Sequence, residues 1–208
     1  MFKININDII NFNNIKISDV SNLKMNDWYY LWTNKVDYLE YQISQIGKKY
    51  SLIRESFSYY IGLAENAISL IKGVSNKNFY SLTHKRIEYN YTTYDLYNPL
   101  NFNIDLRIRD VCEYFKSCFF NDINVNEQVR LYLFYNKLNY EESCCFMARM
   151  LFPTYYFDMY EKIITGESDD SSLKNIINKA NEYEKLLREI NLYLNLNSID
   201  WLKKVIQY

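Results

Sequence analysis

Apolar residues recur every three or four positions along most of the chain, which is the spacing of amphipathic helices. The first such pattern begins at Asn26 or Asp27, either of which can cap a helix, and it ends near Gly47. A second pattern begins at Ser51, which can also act as a cap, and ends at Gly73. These two patterns predict a pair of long helices. Further helices are predicted to follow residue 105 and to cover residues 125–138, 140–152, 153–164, 173–194 and 199–208.

The pattern changes between the second and third predicted helices. Residues 79–84 and 86–94 alternate apolar or aromatic side chains with polar ones, which predicts two short strands. A turn is predicted at Asn98–Pro99, and Asp105 is expected to cap the helix that follows. The predicted fold class is therefore mainly α with a small β insert (α+β), a helical bundle that carries a short β-hairpin.

Three shorter segments also give expectations. Weak alternation over residues 1–24 predicts a short strand followed by a loop. Asn139 is expected to end the preceding helix in the left-handed conformation. The sequence GESDDSS at residues 166–172 is either a mobile loop or the cap of the helix after it, and we favour the cap.

Composition narrows the class of protein. A chain of 208 residues, 49% of them apolar, predicts one folded domain. Lys and Arg number 24 against 25 Asp and Glu, so no basic field favours nucleic acid as a partner. The longest apolar run is far shorter than the roughly 20 residues that cross a bilayer, and no export signal is visible, which favours a cytoplasmic protein without a membrane partner. The four cysteines lie in apolar surroundings and predict buried, reduced thiols.

Candidate chemistry is concentrated between residues 79 and 120. This stretch holds the only histidine, His84, and places three aspartates beside three arginines: Asp95, Asp105, Asp110, Arg86, Arg107 and Arg109. Such groups can bind phosphate or metal, but the four glycines of the chain are never clustered, so a glycine-rich phosphate loop is excluded. Lys85 and Arg86 can bind a phosphate or an acidic partner, or can form ion pairs with the nearby aspartates. Asp95 and Asp105 can share a metal only if the fold brings them together.

Several segments resemble the C-terminal lobe of aminoglycoside-phosphotransferase-like kinases. The sequence LTHKRIEYNY is similar to the catalytic loop of those proteins, usually HGDxxxxN, and DLRIRDVCEYFK resembles the segment in which they start a helix with aspartate. Trp28 and the sequence WTNKVDYLEYQ at residues 32–42 look like the first helix of that lobe in the YutH-type spore coat kinase-like family. The resemblance covers residues 26–165. It implies a kinase-like C-lobe at 26–165, an N-terminal strand or loop segment at 1–25, a helical extension at 166–208 packed on the same domain, and an N-lobe that is largely missing.

The resemblance implies a degenerate catalytic motif. His84 matches the motif histidine, but Lys85 replaces the usual glycine and Arg86 stands where the catalytic aspartate is expected. Arginine cannot accept a proton from a substrate hydroxyl. Tyr91 falls at the metal-binding asparagine, and the metal-binding aspartate falls within residues 98–101, where none exists, unless Asp95 replaces it. Asp110 matches a structural aspartate that is expected to hold the loop by hydrogen bonds.

These implications favour a catalytically inactive, pseudokinase-type interaction protein, related to the spore coat, with no cofactor. A protein partner or a second copy is expected to cover the face left by the missing N-lobe, at Tyr89, Tyr91, Tyr94, Tyr97 and Phe102, unless residues 1–24 fold back over it. One alternative is a divergent phosphotransferase that uses Mg-ATP, with Asp95 or Asp105 on the metal and Arg86 on a phosphate. The other alternative is a plain helical scaffold.

Overall fold

The computed structural model describes residues 2–15, 27–46, 49–74 and 80–203, and within these ranges the protein is mainly helical. The predicted fold class, helices with one small antiparallel sheet, is confirmed. The predictions made for Asn26, Gly47, Phe79 and residues 204–208 lie outside the described residues. The elements in chain order are α1 (Ile6–Asn13), α2 (Trp28–Ile46), α3 (Ser51–Ile71), β1 (Tyr80–His84), α4 (Thr93–Leu96), β2 (Phe102–Leu106), α5 (Arg109–Phe120), α6 (Asn126–Tyr135), α7 (Tyr140–Leu151), α8 (Thr154–Ile164), α9 (Lys174–Asn178), α10 (Ala180–Leu194) and α11 (Asp200–Lys203), with short 3₁₀ turns at Pro99–Asn101 and Asp170–Leu173.

The two long helices are present, but α3 is capped differently from the prediction. Asp27 accepts a hydrogen bond from the backbone N–H of Tyr30 at 3.2 Å and so caps α2 as expected. Ser51 is the first helical residue of α3 and does not cap it. Instead, the carboxylate of Asp170 accepts from the backbone N–H groups of Leu52 at 2.8 Å and Ile53 at 3.2 Å. The cap of α3 therefore comes from the 166–172 segment.

The second strand of the sheet is formed by other residues than the sequence predicts. β1 pairs antiparallel with β2, so that Tyr80 lies opposite Leu106 and His84 opposite Phe102. The predicted second strand at 86–94 was wrong: this segment is a loop that enters α4, where Thr92 and Asp95 form a capping box that favours a helical turn. Asp105 was expected to cap a helix, but it lies inside β2.

Residues 2–15 also differ from the predicted short strand, and the part of the predicted loop at residues 16–24 lies outside the described residues. Residues Ile6–Asn13 form a helix because Asn5 and Asp8 make a reciprocal capping box. Among residues 2–15, Lys3 forms an isolated antiparallel bridge to Thr92. This segment packs against β1 and α5, so it belongs to the core.

The C-terminal half follows the helical pattern with two corrections. Asn139 does not end a helix but begins α7, through a capping box with Glu142. The predicted single helix over 173–194 is divided at Lys179 into α9 and α10, and the side chain of Asp169 caps the 3₁₀ turn before them. The four cysteines are free and buried, as expected. Among the described residues, no helix has the length and apolar character that a membrane crossing requires.

Candidate functional site

The loop that follows β1 begins at a fully buried pair formed by His84 and Asp110. The Asp110 carboxylate accepts from the backbone N–H of His84 with both oxygens, at 3.0 and 3.1 Å, and it contacts the ring Nδ1 at 2.7 Å. On the other side, the ring Nε2 lies 2.8 Å from the carbonyl oxygen of Leu96 and must donate to it. Since both ring nitrogens are engaged and neither side chain is exposed, His84 holds the loop and does not face a substrate.

Arg109 fixes the same loop from the carbonyl side. Its guanidinium donates to the backbone carbonyl of His84 and, at 2.7 Å, to that of Lys85. It is in turn placed by ion pairs with Asp105 and Asp110, both at 3.3 Å. The N–H of His84 is thus bound by Asp110, and the carbonyl groups of His84 and Lys85 are bound by Arg109, which sets the direction of the chain that follows.

Asp105 lies in the centre of this arrangement. Its carboxylate accepts from the indole Nε1 of Trp28 at 2.8 Å and from the backbone N–H of Leu106 at 2.8 Å, in addition to the ion pair with Arg109. Only 2% of the residue is exposed. A carboxylate that is buried and already bound by three donors is poorly placed to bind a metal ion from solvent.

Arg86, at the position of the expected catalytic aspartate, forms an ion pair with Asp158 of α8. The two side chains are 2.7 Å apart and remain about half exposed, at 57% and 46%. Partial burial raises the pKa of Asp158 above its ordinary value, although the charge of Arg86 acts in the opposite direction. The neighbouring Lys85 donates to the carbonyl oxygen of Leu100 at 3.0 Å.

Beneath this ion pair lies a buried charged cluster that joins α5, α7 and α8. Glu113 contacts Lys116 and the Nε of Arg149, each at 2.6 Å. Lys116 also donates to the carbonyls of Arg149 at 2.9 Å and Phe152 at 3.2 Å, and to the hydroxyl of Thr154 at 2.9 Å. Burial would raise the pKa of Glu113, but Arg149 and Lys116 outweigh it and lower that pKa to about 2. Burial lowers the pKa of Lys116 to about 8, against the attraction of Glu113.

Arg149 connects this cluster to the aromatic residues of α2. Its guanidinium carbon lies 5.0 Å from the ring centre of Trp28 and 5.7 Å from that of Trp32, within the range of cation–π contacts. Trp28 and Trp32 stack on each other, and Trp32 stacks on Phe152 with ring centres 4.3 Å apart. The charge of Arg149 is therefore held in place by Glu113 and by two indole rings.

Asp95 is separate from this buried network. Its carboxylate accepts from the backbone N–H of Thr92 at 2.9 Å and from the Thr92 hydroxyl at 2.7 Å. These hydrogen bonds lower the pKa of Asp95 below its ordinary value. Asp95 and Asp105 thus serve two different local structures. Within the described ranges, no three acidic, histidine or cysteine side chains converge in a way that could hold a metal ion.

The N-terminal segment covers part of the face for which the sequence predicted a partner, a second copy or residues 1–24 as the cover. Ile4 donates its N–H to the carbonyl of Tyr91 at 2.9 Å, and Phe12 packs on His84 and Phe102 with ring centres 4.4 and 5.2 Å away. Burial raises the pKa of Tyr91. Tyr89, Tyr91 and Phe102 are half-buried, whereas Tyr94 and Tyr97 remain exposed.

Sequence reasoning assigned no role to Glu113, Lys116, Arg149 or Asp158. A signal was present for Lys116 and Arg149, because each lies among apolar residues of an amphipathic helix, and Arg149 directly follows the apolar run of residues 144–148. Charged side chains at such positions are almost never fully buried unless they are paired. Nothing in the local pattern indicated that Asp158 would lie beside Arg86.

The sequence of the chain is similar to that of known proteins. A family model described as "Spore coat putative kinase YutH" matches residues 13–190. The endospore coat-associated protein YutH of Bacillus subtilis (strain 168) is 25% identical over 216 residues, a match that covers 87% of this chain and 62% of that relative. The chain thus spans less than two thirds of the length of this relative. No solved structure matches the chain.

Proposed function

The chain belongs to the YutH family of spore coat putative kinases, and we propose that it acts as a non-catalytic, kinase-like binding protein associated with the endospore coat. The coat association is suggested by the similar Bacillus subtilis protein, which is described as endospore coat-associated. The kinase-like ancestry is suggested by the motifs around His84 and Asp110.

The observation that carries the proposal is the Arg86–Asp158 ion pair. Phosphotransferases of the resembled class need a carboxylate that accepts the proton of the substrate hydroxyl. The residue at that position is a guanidinium, which has no lone pair to accept a proton at physiological pH. Its partner Asp158 is engaged by the same guanidinium at 2.7 Å.

The remaining carboxylates support the same interpretation. Asp105 and Asp110 are buried and take part in hydrogen bonds that fix the backbone, and Asp95 belongs to the capping box of α4. Mg²⁺ prefers one or two accessible carboxylates together with water and phosphate oxygens. A divergent phosphotransferase that uses Asp95 or Asp105 for Mg-ATP would first have to break these contacts.

A non-catalytic binding protein would contact its partner through exposed apolar side chains rather than through a catalytic group. Tyr94, Tyr97 and Leu100, on α4 and the turn that follows it, expose apolar surface at 66%, 60% and 78%. We expect a protein partner or a second copy to dock there. Light scattering on the wild type and on the Tyr94→Asp/Tyr97→Asp variant tests the second copy, because a monomeric mass for both proteins would exclude it.

The proposal is tested by thermal unfolding with ATP and Mg²⁺ or Mn²⁺, together with an assay of phosphate transfer and ATP hydrolysis. A ligand at about 100 times its dissociation constant would stabilise the protein by ~2.7 kcal/mol, which is easily measured. We expect no stabilisation and no turnover. A metal-dependent stabilisation that disappears in Asp95→Asn would support the divergent phosphotransferase and reject our proposal.

A further inference from the structure

Four cationic side chains converge on one small cleft between the loop after β1, α5, α7 and α8. The cleft has a volume of about 170 Å³. At about 30 Å³ for each water molecule, this volume corresponds to about five or six waters, whereas pockets for drug-sized ligands measure roughly 300–1,000 Å³. It therefore fits a phosphoryl group better than a nucleotide. Its charged lining residues are Lys85, Arg86, Arg109, Arg149, Glu113 and Asp158.

The charges at the base of the cleft are largely matched within the protein. Arg109 is paired with Asp105 and Asp110, and Arg149 is paired with Glu113. These side chains are held in fixed positions, so they supply a constant electrostatic background and do not need to move when a ligand enters.

The charges at the rim are less well matched. The ammonium group of Lys85 donates to the carbonyl of Leu100, and no carboxylate of the described residues forms an ion pair with it. Arg86 has five N–H donors, and its one side-chain hydrogen bond among the described residues is the contact with Asp158. Donors therefore remain on Lys85 and Arg86 for an anion that enters from solvent.

The carboxylate of Asp158 is a weak competitor of an incoming anion for Arg86. Its carboxylate is partly buried, and burial opposes its charge more strongly than Arg86 favours it, so that its pKa is raised. A phosphate monoester carries about two negative charges and three acceptor oxygens, which suits an arginine and a lysine better than a single carboxylate does. Such an anion would compete with Asp158 for Arg86.

The cleft continues into a larger bay of about 400 Å³, with which it shares Arg86, Glu113 and Asp158. Apolar side chains of Ile87, Phe120, Tyr155 and Met159 line part of this bay. A peptide backbone and one neighbouring side chain can lie there while a phosphorylated side chain reaches Arg86.

We propose that this cleft binds the phosphoryl group of a phosphorylated serine or threonine on a partner protein, with Lys85 and Arg86 as its main contacts. The proposal rests on the proposed function, since it uses Arg86 as an anion-binding residue in the place of a catalytic base. It adds that the partner protein carries a phosphorylated serine or threonine, which membership of the family does not indicate.

The test measures the binding of N-acetyl-phosphoserine-methylamide and of its unphosphorylated form by calorimetry, without divalent metal and at fixed ionic strength. We expect binding of the phosphorylated compound alone. Arg86→Gln should weaken binding by about tenfold or more, since a hydrogen bond to a charged group commonly contributes this much. Asp158→Asn should tighten binding, because it removes the competing carboxylate. The matched control is Arg130→Gln, which removes a cation from α6, outside the cleft, and should leave the affinity unchanged.

Three results would overturn the proposal: no phosphate-dependent binding by the wild type, an equal loss of affinity in Arg130→Gln and Arg86→Gln, or weaker binding by Asp158→Asn. Inorganic phosphate serves as a further probe, and an affinity equal to that of the phosphoserine compound would argue against a phosphorylated protein as the source. A thermal unfolding transition is recorded for each variant to check that it is folded. The outcome is separate from that of the proposed function, because metal-dependent ATP turnover would reject the latter whether or not the metal-free compound binds.

Discussion

Replacing Asp110 by asparagine removes one buried charge and leaves the size of the side chain unchanged. The carboxylate accepts from the backbone N–H and the ring Nδ1 of His84, and it lies 3.3 Å from a guanidinium nitrogen of Arg109. An amide keeps one acceptor oxygen, but its NH₂ group would face a donor. Breaking a buried charged pair by changing one partner commonly costs ~3–5 kcal/mol. This is a large part of the ~5–15 kcal/mol that stabilises a typical domain.

The measurement is urea unfolding followed by circular dichroism, with a thermal scan beside it. For a chain of this size, each 1 kcal/mol lowers the melting temperature by about 2–4 °C, so we expect a decrease of about 6–20 °C. The matched control is Asp158→Asn, which removes the same charge from a half-exposed ion pair and should cost only ~0–1 kcal/mol. If Asp110→Asn is no less stable than Asp158→Asn, the hydrogen bonds of Asp110 do not hold the loop as argued.

Three further changes test other parts of the structure. Asp170→Ala removes the cap of α3 and should lower the free energy of unfolding by ~0.5–2 kcal/mol in denaturant titrations, whereas Asp169→Ala, which affects only a 3₁₀ turn, should have a smaller effect. Phe12→Ala empties a buried site beside His84 and should cost ~3–5 kcal/mol, with faster hydrogen exchange at the amide of Ile4 as the sign that the N-terminal segment has loosened. Arg149 and Lys116 lower the pKa of Glu113 to about 2 despite its burial, so the stabilising effect of its charge is complete above about pH 4.5 and is lost as the pH falls towards 2. The difference in unfolding free energy between the wild type and Glu113→Gln should therefore shrink over that range of pH. A constant difference would contradict the buried ion pairs.

Much of the helical structure could be predicted from the sequence, because amphipathic periodicity and capping residues are local signals. The α1 helix was missed although its signal was present, since the Asn5–Asp8 capping box lies within four residues. The second strand was placed at 86–94 because that segment alternates, but Thr92 and Asp95 favour a helical turn there. The pairing of β1 with β2 depends on contacts that no local pattern contains.

The candidate site could likewise be predicted from the sequence only in part. The substitution of Arg86 at the expected base position could be recognised from a motif of a few residues. The ion pair of Arg86 with Asp158, 72 residues away, could not, because it depends on how α8 packs against the loop. The cap of α3 by Asp170 likewise joins residues 118 positions apart. The sequence alone therefore indicated that Arg86 is unusual at its position in the motif, but it did not indicate which distant residues would contact Arg86 or cap α3.

The packing of the N-terminal segment delays its own folding during synthesis. Asn13 donates to the carbonyl of Arg107, which is 94 residues further along the chain. A ribosome that adds about 5–20 residues per second needs about 5–20 s to produce that partner. During this interval Ile9 and Phe12, both buried in the folded protein, have no native surface to cover them. The nascent chain therefore exposes these apolar side chains early, and a chaperone that binds such segments would meet this protein at residues 6–13.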